Sequence, residues 1–315
     1  MSFAKNSKEE LARLEINNEC CAKAELAAFI FINGRLNLGE NIYLELSSEN
    51  AAIIRKMFTL LKETFRIEAQ VLVRQKNRLK KNKVFILRVD THRYEVLKIL
   101  TSIGILKDDG VNLVFKEEIA KDFYFRDCCS RAFLRGAYLA SGSVSNPDSS
   151  YHLEILSEYQ NKAEDLVDIM KRFELNPGMM EKKNGSYIIY LKGSDEISTL
   201  LNIVGAHKAL LDFENIRVIK EMRNKINRLV NCETANLQKT VVASLRQIEN
   251  IDIVDRKIGV YNLPPDLKEM AVKRVNHPEK NLKELGAVMD PPIGKSGVNH
   301  RLRKLEKMAK NLRNE

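Results

Sequence analysis

Hydrophobic and polar positions follow a regular order in the first 110 residues. Four segments have apolar residues at helical spacing, and two show the period-two alternation that is typical of half-buried strands. The helical segments are 7–16, 20–33, 48–65 and 93–105, and the strand-like segments are 42–46 and 71–89, the second of which predicts two strands joined by a polar turn. Ser7 and Ser48 are expected to cap two of these helices, and Gly34 and Gly104 to end two others.

Residues 128–206 repeat that order. The predicted elements are helices at 128–142, 159–175 and 194–206 and strands at 151–157, 178–183 and 187–192, with Ser194 as a helix cap and Asn184-Gly185 as a hairpin turn. Each half is therefore predicted as helix, strand, helix, strand, strand, helix. Cys20-Cys21 recurs as Cys128-Cys129 at an offset of 108 positions, and Gly34 recurs as Gly142 at the same offset. These matches indicate an internal duplication.

The pattern changes after the duplicated part. Residues 208–250 contain neither glycine nor proline, and they predict two long helices with a break near Cys232–Thr234. Pro264-Pro265 then opens a region of three short helices. Asn281 and Glu284 have the spacing of a capping box for the second of these helices, and Ser296 is expected to cap the third.

The third of these helices has one apolar face and one basic face. Val298, Leu302 and Leu305 are expected to point inward. The predicted DNA-binding residues on and beside the outer face are Lys295, Ser296, Asn299, His300, Arg301, Arg303, Lys304 and Lys307. Cations, amides and hydroxyls at a helix start bind phosphates and read base edges. A solvated basic helix explains the charges alone equally well, and the order of three short helices with the basic one third favours a helix-turn-helix. The linker before this helix is longer than the tight turn of the simplest such motifs.

Charge adds a second candidate surface. The chain has a formal net charge of +10 and a pI near 9.2, so polyanions are the first partners to consider. The residues expected to make secondary DNA contacts lie on the predicted hairpin: Arg74, Lys76, Arg78, Lys80, Lys81 and Lys83. A charged edge hairpin that resists aggregation explains the same residues equally well.

The remaining chemistry is sparse. Five cysteines, an odd number and without CxxC spacing, argue against a disulfide framework and against a zinc site, so we expect reduced thiols, no metal and no cofactor. We find neither a nucleophile–base set nor a phosphate-binding loop. The start of the chain lacks the apolar core of a signal peptide, and no apolar run approaches the ~20 residues of a membrane helix. A cytoplasmic protein is therefore expected.

Two short segments carry a family resemblance. "LAAFIFING" (26–34) and "LRGAYLASG" (134–142) place small residues where two helices would pack closely. They resemble the paired helices of the LAGLIDADG homing endonucleases, in which each helix delivers one metal-binding acid just before its last glycine. Those acid positions fall on Asn33 and Ser141, which are neutral. The resemblance therefore implies a nuclease scaffold without its catalytic pair, and no enzymatic activity.

The duplicated part and the C-terminal region together resemble one family, the WhiA-type regulators of sporulation and cell division. The stretch "LPPDLKEMAVKRVNHPEKNLKELG" followed by "DPPIGKSGVNHRLRKL" is similar to that family's C-terminal signature. The resemblance implies an α+β fold, with two LAGLIDADG-like repeats related by a pseudo-twofold axis and an all-α helix-turn-helix domain. The implied segments are a first repeat (1–110), a second repeat (111–207), a helical linker (208–254) and the helix-turn-helix (255–315).

The resemblance also implies a function. The expected activity is non-catalytic, sequence-specific binding of double-stranded promoter DNA at division and sporulation genes, by a nucleoid-associated monomer. A second regulator or RNA polymerase is an expected partner. The alternative is an interaction scaffold, in which the duplicated domain binds a protein or ligand and the basic C-terminus tethers it to DNA. The neutral residues at both acid positions disfavour an active endonuclease.

Overall fold

The computed structural model describes residues 2–38, 42–75, 83–90, 93–108, 113–116, 119–120, 123 and 125–313. The chain divides into two compact units, Met1–Lys220 and Glu221–Glu315. One cluster of buried apolar side chains lies in the first unit and a second cluster lies in the other. Within the described ranges, every helix is too short or too polar to span a lipid bilayer.

The first unit contains two equivalent halves. The first half comprises α1 (Phe3–Ala12), α2 (Glu19–Asn33), β1 (Arg35–Leu38), β2 (Ile42–Ser48), α3 (Ala51–Phe65), β3 (Gln70–Gln75), β4 (Lys83–Val89) and α4 (Arg93–Ser102). Two short strands follow, β5 (Leu106–Asp108) and β6 (Leu113–Phe115). The second half comprises α5 (Asp127–Ser141), β7 (Ser143–Val144), β8 (Leu153–Ser157), α6 (Gln160–Lys171), β9 (Gly178–Glu181), β10 (Tyr187–Leu191) and α7 (Ser194–Val204).

Sheet topology confirms the duplication. The first sheet has the strand order β1-β2-β4-β3 and the second has the order β7-β8-β10-β9, with every neighbouring pair antiparallel. The α+β fold class is therefore confirmed. The predicted order lacked β1 and β7, because strands of four and two residues are too short for a period-two pattern to register.

Helices α2 and α5 pack against each other at the centre of this unit. The two backbones approach closely at Gly136, since a Cβ atom there would collide with the Glu25 carbonyl oxygen and lie 2.9 Å from the Ala28 Cβ. The small residues in these helices thus allow the two helix backbones to approach each other closely, as expected. Gly34 and Gly142 do not take part, because a Cβ at either position would instead meet its own helix, at Ile30 and Tyr138 respectively.

Several predicted caps are wrong by a few residues. Ser2 caps α1, and Ser7 is instead buried with its hydroxyl 2.7 Å from that of Tyr138. Asn50 rather than Ser48 caps α3, where its side chain accepts a hydrogen bond from the Ala52 amide. Ser194 lies inside α7, whose N-cap is Gly193. Serine and asparagine have similar capping preferences, so neighbouring candidates compete and packing decides between them.

Residues 207–257 form one helix, α8 (His207–Lys257), so the predicted break near Cys232–Thr234 is wrong. Polar residues of modest helix propensity are not sufficient to end a helix when neither glycine nor proline is present. The carboxylate of Glu10 accepts hydrogen bonds from the amides of Lys208 (2.7 Å) and Ala209 (2.9 Å). This acid thereby satisfies two free N–H groups at the positive end of α8.

The second unit contains a 3₁₀ turn (Val260–Asn262) and the helices α9 (Pro265–Asn276), α10 (Leu282–Ala287) and α11 (Lys295–Arg313). The capping box is confirmed, since the side chain of Asn281 accepts from the Glu284 amide and the Glu284 side chain accepts from the Asn281 amide. Helix α11 begins at Lys295, so Ser296 lies in its first turn and is not the cap. The predicted three-helix order of this region is confirmed.

Candidate nucleic-acid interface

Helix α11 separates an apolar face from a polar one. Its buried residues are Val298, Leu302, Leu305 and Ala309. At about 100° per residue, Ser296, His300, Arg303 and Lys307 project about 180° away from them, and we call these four residues the outer stripe. All four are exposed. The outer stripe therefore offers two cations, an imidazole and a hydroxyl along one edge of the helix.

The other predicted DNA-binding residues of α11 lie beside this stripe. Asn299 flanks it on one side and Lys304 on the other, each about 70° from its centre, and Lys295 in the first turn lies about 110° from it. Arg301 is different, because it lies about 130° from the centre of the stripe and its guanidinium is 3.7 Å from the Glu269 carboxylate on α9. The structure thus groups six of the eight predicted residues on or next to one face, leaves Lys295 at its margin and directs Arg301 toward the neighbouring helix.

A buried arginine fixes the loop that precedes α10. Arg274 is 1% exposed, and its Nη1 donates to the carbonyl oxygens of Lys280 (2.8 Å) and His277 (3.3 Å) and to the Ser244 hydroxyl (3.3 Å). Hydrogen bonds from a buried cation to backbone carbonyls are strong in a low-dielectric environment. Sequence reasoning missed this residue because a lone arginine on an amphipathic helix looks like any solvated cation.

In the first unit, the two positions where the resemblance implies acids hold neutral side chains bonded to strand backbones. Asn33 Oδ1 accepts from the Ser47 amide at 3.0 Å. The Ser141 hydroxyl donates to the Leu156 carbonyl at 2.7 Å and accepts from the Leu156 amide at 3.1 Å. Each of these two residues, which we call the helix-end pair, therefore ties the last turn of its helix to the sheet of its own half.

A lysine stands at the C-terminal end of each central helix. Lys8 Nζ donates to the Leu139 carbonyl of α5 at 3.3 Å, and Lys162 Nζ donates to the Phe31 carbonyl of α2 at 2.8 Å. Both carbonyls precede the helix-end pair by two residues, and cations are favoured at the negative end of a helix dipole. Burial lowers the pKa of both amines, to about 8 for Lys8.

A concave surface surrounds the helix-end pair. Its lining includes five cationic residues and two acids: Lys5, Lys8, Arg35, Arg74, Lys83, Glu45 and Glu49. Of the six predicted secondary DNA contacts, the structure describes Arg74 and Lys83, and both are exposed. Lys76, Arg78, Lys80 and Lys81 lie outside the described residues. The described part of the hairpin thus borders the same concave surface as the helix-end pair.

Comparison with known proteins agrees with this architecture. The chain matches the WhiA N-terminal LAGLIDADG-like domain over residues 19–106, the WhiA LAGLIDADG-like domain over 130–223 and the WhiA C-terminal HTH domain over 226–309. "Probable cell division protein WhiA" of Natranaerobius thermophilus is 52% identical over 312 residues, which cover 99% of this chain and 96% of that relative. The chain belongs to the WhiA family.

Other relatives have the same extent. The protein of that name from Bacillus subtilis strain 168 is 48% identical over 316 residues, covering 99% of this chain and 98% of the relative. The crystal structure described as "full-length DUF199/WhiA from Thermatoga maritima" is 24% identical and superposes with a TM-score of 0.61, covering 99% of both chains. That likeness shows the WhiA fold over the whole chain.

One charged group in this WhiA-family chain joins the two repeats. Glu25 is fully buried, and its carboxylate lies 3.0 Å from Lys56 Nζ on α3 and 2.6 Å from Arg135 Nε on α5. Lys56 also donates to the Leu11 and Leu14 carbonyls. Sequence reasoning missed this cluster, because its members are 31 and 110 positions from Glu25 and nothing local marks them as partners.

Proposed function

We propose that this WhiA-family chain is a non-catalytic, sequence-specific DNA-binding protein that regulates transcription at promoters of cell-division and sporulation genes. The observation that carries the proposal is the outer stripe of α11, which presents cationic and hydrogen-bonding groups directly opposite the core of a helix-turn-helix. The relatives' name, "probable cell division protein", supports the choice of genes. The protein then works in the cytoplasm, on the nucleoid.

The concave surface around the helix-end pair is the proposed second DNA contact. Exposed Arg35, Arg74 and Lys83 border it, and phosphate neutralisation by such cations adds affinity without reading sequence. In this arrangement α11 reads base edges and the duplicated domain binds the phosphate backbone of the DNA. The proposed working form is a monomer, whose two repeats supply an internal pseudo-twofold.

Electrostatics at the helix-end pair support the absence of nuclease activity. Metal-assisted phosphodiester cleavage needs anionic oxygen ligands for a hard cation. Asn33 and Ser141 supply no charge, and the Asn33 Oδ1 and the Ser141 hydroxyl are engaged with backbone groups. Lys8 and Lys162 add positive charge two residues away, which further opposes a divalent cation.

The test begins with genomic fragments that the pure full-length chain retains, which are sequenced to identify a preferred duplex. The affinity for that duplex is then measured by fluorescence anisotropy over a range of salt. Replacing Arg303 by Ala should weaken binding about tenfold or more. Arg301→Ala is the matched control, since it removes the same side chain from the same helix but from the side that faces Glu269, and it should weaken binding much less.

Two results would overturn the proposal. Equal losses for Arg303→Ala and Arg301→Ala would show that the outer stripe is not the reading surface. Cleavage of plasmid DNA by the pure protein in magnesium or manganese would show an active nuclease. For the second contact, replacing Arg74 by Ala should reduce the salt slope by about one without changing sequence preference.

An interaction scaffold is the second candidate, and one observation favours it. Strand β3 lies at an edge of its sheet and exposes Val71, Leu72 and Val73, of which Val73 is 58% exposed. An edge strand with apolar side chains is suited to pairing with a strand of a partner protein. Val73→Lys should then abolish capture of a second regulator or RNA polymerase while leaving DNA affinity unchanged, whereas the leading proposal predicts that promoter binding survives without that partner.

A further inference from the structure

Four cysteines meet at the N-terminal ends of α2 and α5. Cys20 and Cys21 lie in the first turn of α2, and Cys128 and Cys129 lie in the first turn of α5. The four sulfur atoms, which we call the cysteine cluster, all lie within 4.8 Å of one another. The sulfurs of Cys20 and Cys21 are 4.0 Å apart, and those of Cys128 and Cys129 are 3.9 Å apart.

These distances fit one metal ion. A tetrahedral zinc thiolate with Zn–S bonds of about 2.3 Å has sulfur–sulfur edges of about 3.8 Å. The two sequential pairs are already at that spacing, and the longest separation, 4.8 Å or less, needs only a small inward movement. Four cysteines with no other ligand also satisfy the usual ligand count of a structural zinc site.

Other thiol chemistry fits less well. A [4Fe–4S] cluster bonds each cysteine to a different iron, so its four sulfurs would stand further apart than a single ion requires. A disulfide has an S–S bond of about 2.05 Å, roughly half the separation within either pair. In the structure all four side chains are free thiols.

The surroundings act on these thiols in two opposite ways: burial raises the pKa of Cys21 to about 12 and also raises the pKa of Cys129, whereas the two helix ends favour anionic sulfur. Neither Asn18 nor Arg126, the N-cap residues of the two helices, makes a side-chain capping hydrogen bond, and the positive end of each helix dipole stabilises a thiolate in the first turn. Cys21 and Cys129 are buried, whereas Cys128 is exposed and leaves a path for an ion from solvent.

We propose that the cysteine cluster binds one Zn²⁺ ion, which joins the two repeats at the ends of α2 and α5 opposite the helix-end pair. Thirteen residues at 1.5 Å per residue place Cys20 about 20 Å along α2 from Asn33. The lack of CxxC spacing does not exclude this site, because the duplication supplies two ligands from each repeat and the packing of α2 on α5 brings them together. The proposed role is structural, since all four positions around the ion are taken by protein.

The test uses the full-length chain, purified without chelator after expression in zinc-supplemented medium. Elemental analysis should give about one zinc per chain, and Co²⁺ in its place should give the thiolate charge-transfer and d–d absorption of a tetrahedral sulfur site. A strong chelator should lower the melting temperature, because an ion bound only by the folded chain stabilises it.

Cys128→Ser is the informative variant, because its side chain is exposed and the change leaves the core intact. It should bind zinc at least about tenfold more weakly. Cys232→Ser is the matched control, since Cys232 is an exposed cysteine on α8 outside the cluster, and it should retain full zinc content. Measuring DNA affinity on the same preparations separates this inference from the proposed function, since outer-stripe binding does not depend on zinc content.

Three results would overturn the inference. A zinc-loaded and dialysed wild-type chain with no bound zinc and no cobalt spectrum would show that the cluster does not bind metal. Loss of zinc from Cys232→Ser but not from Cys128→Ser would place the metal elsewhere. A mass lower by four hydrogens with no metal, or stoichiometric iron with sulfide, would identify a pair of disulfides or an iron–sulfur cluster instead.

Discussion

Helices α2 and α5 occupy equivalent positions in the two repeats, and they are alike at both ends but different in the middle. Both carry a Cys-Cys pair in the first turn and both end in a neutral residue that is bonded to a strand of its own sheet. In the middle, Glu25 of α2 pairs with Arg135 of α5. At the offset of 108, the counterpart of Glu25 is Phe133 and that of Arg135 is Ala27, so this ion pair is made once and not twice.

The difference shows what each part of the interface does. The recurring hydrogen bonds of the helix-end pair hold each helix in its own repeat, whereas the single ion pair distinguishes one helix from the other. In two copies of α2 packed alike, each Glu25 would face Ala27 of the other copy, and in two copies of α5 each Arg135 would face Phe133, so these buried charges would lose their partner across the interface. The pair therefore favours α2 on α5 over either like pairing.

Among the changes that test this comparison, removal of Glu25 should lower the free energy of unfolding most. Glu25→Ala leaves Lys56 and Arg135 in the core without their anion, and we expect the free energy of unfolding to fall by about 3–5 kcal/mol. Urea unfolding followed by circular dichroism measures this loss. Glu9→Ala, which removes the acid of the more exposed Lys5–Glu9 pair, should cost less than about 1 kcal/mol. If both variants lowered the free energy of unfolding by similar amounts, the buried Glu25–Arg135 pair would not be a major source of stability.

The close approach of the helices gives the second test. Gly136→Ala adds a methyl group that collides with the Glu25 carbonyl, and we expect a loss of about 2–3 kcal/mol. Its counterpart at the offset of 108 is Ala28, and Ala28→Gly should cost only about 1 kcal/mol through helix propensity. Both are measured by the same unfolding experiment. A neutral Gly136→Ala would mean that the helices can move apart freely.

Lys8 gives a pH-dependent test at the C-terminal ends of the helices. Its pKa is lowered by burial to about 8, so the charged amine costs stability below that pH. Between pH 8 and 10.5 the unfolded chain keeps a proton that the native state has lost, and the free energy of unfolding rises through this window. Lys8→Met should therefore stabilise the protein by about 1–2 kcal/mol at pH 7 and by progressively less toward pH 10.

The control for this prediction is Lys5→Met, on the same helix but exposed, which should show no such pH-dependent difference. Unfolding midpoints in urea at pH 7, 8.5 and 10 provide the measurement. A gain for Lys8→Met that is the same at all three pH values would mean that the buried amine is not the cause.

The helix-end pair should give the smallest effects. Asn33→Ala and Ser141→Ala each remove side-chain hydrogen bonds to a strand, and we expect a cost of about 1 kcal/mol for each. Asn33→Asp keeps an oxygen acceptor for the Ser47 amide and should cost less than Asn33→Ala. If the Asn33→Asp variant cleaved DNA in the presence of magnesium, a single carboxylate at the helix-end pair would be enough for metal-assisted phosphodiester cleavage.

Features that local sequence determines could be predicted. The hydrophobic periods located most helices and strands, the offset of 108 revealed the duplication, and the Asn281–Glu284 spacing identified the capping box. The neutral character of Asn33 and Ser141 could likewise be read directly from the motif.

Features that depend on packing could not be predicted. The partners of Glu25 lie on two other helices, and Lys8 and Lys162 reach the central helices from α1 and α6, which are not equivalent elements. The cysteine cluster needed both repeats in place, because each contributes only two of its four sulfurs. The prediction of a break in α8 was wrong for a different reason, because weak helix formers lower the stability of a helix without determining where it ends.

In the loop between α9 and α10, the hydrogen-bond acceptors of Arg274 are the main-chain oxygens of His277 and Lys280. Oxygens of this kind are present whatever residue occupies those two positions. The α9–α10 connection can therefore accept new side chains at 277 and 280 without losing its shape. That makes it a suitable place to attach a fluorophore or graft a short epitope.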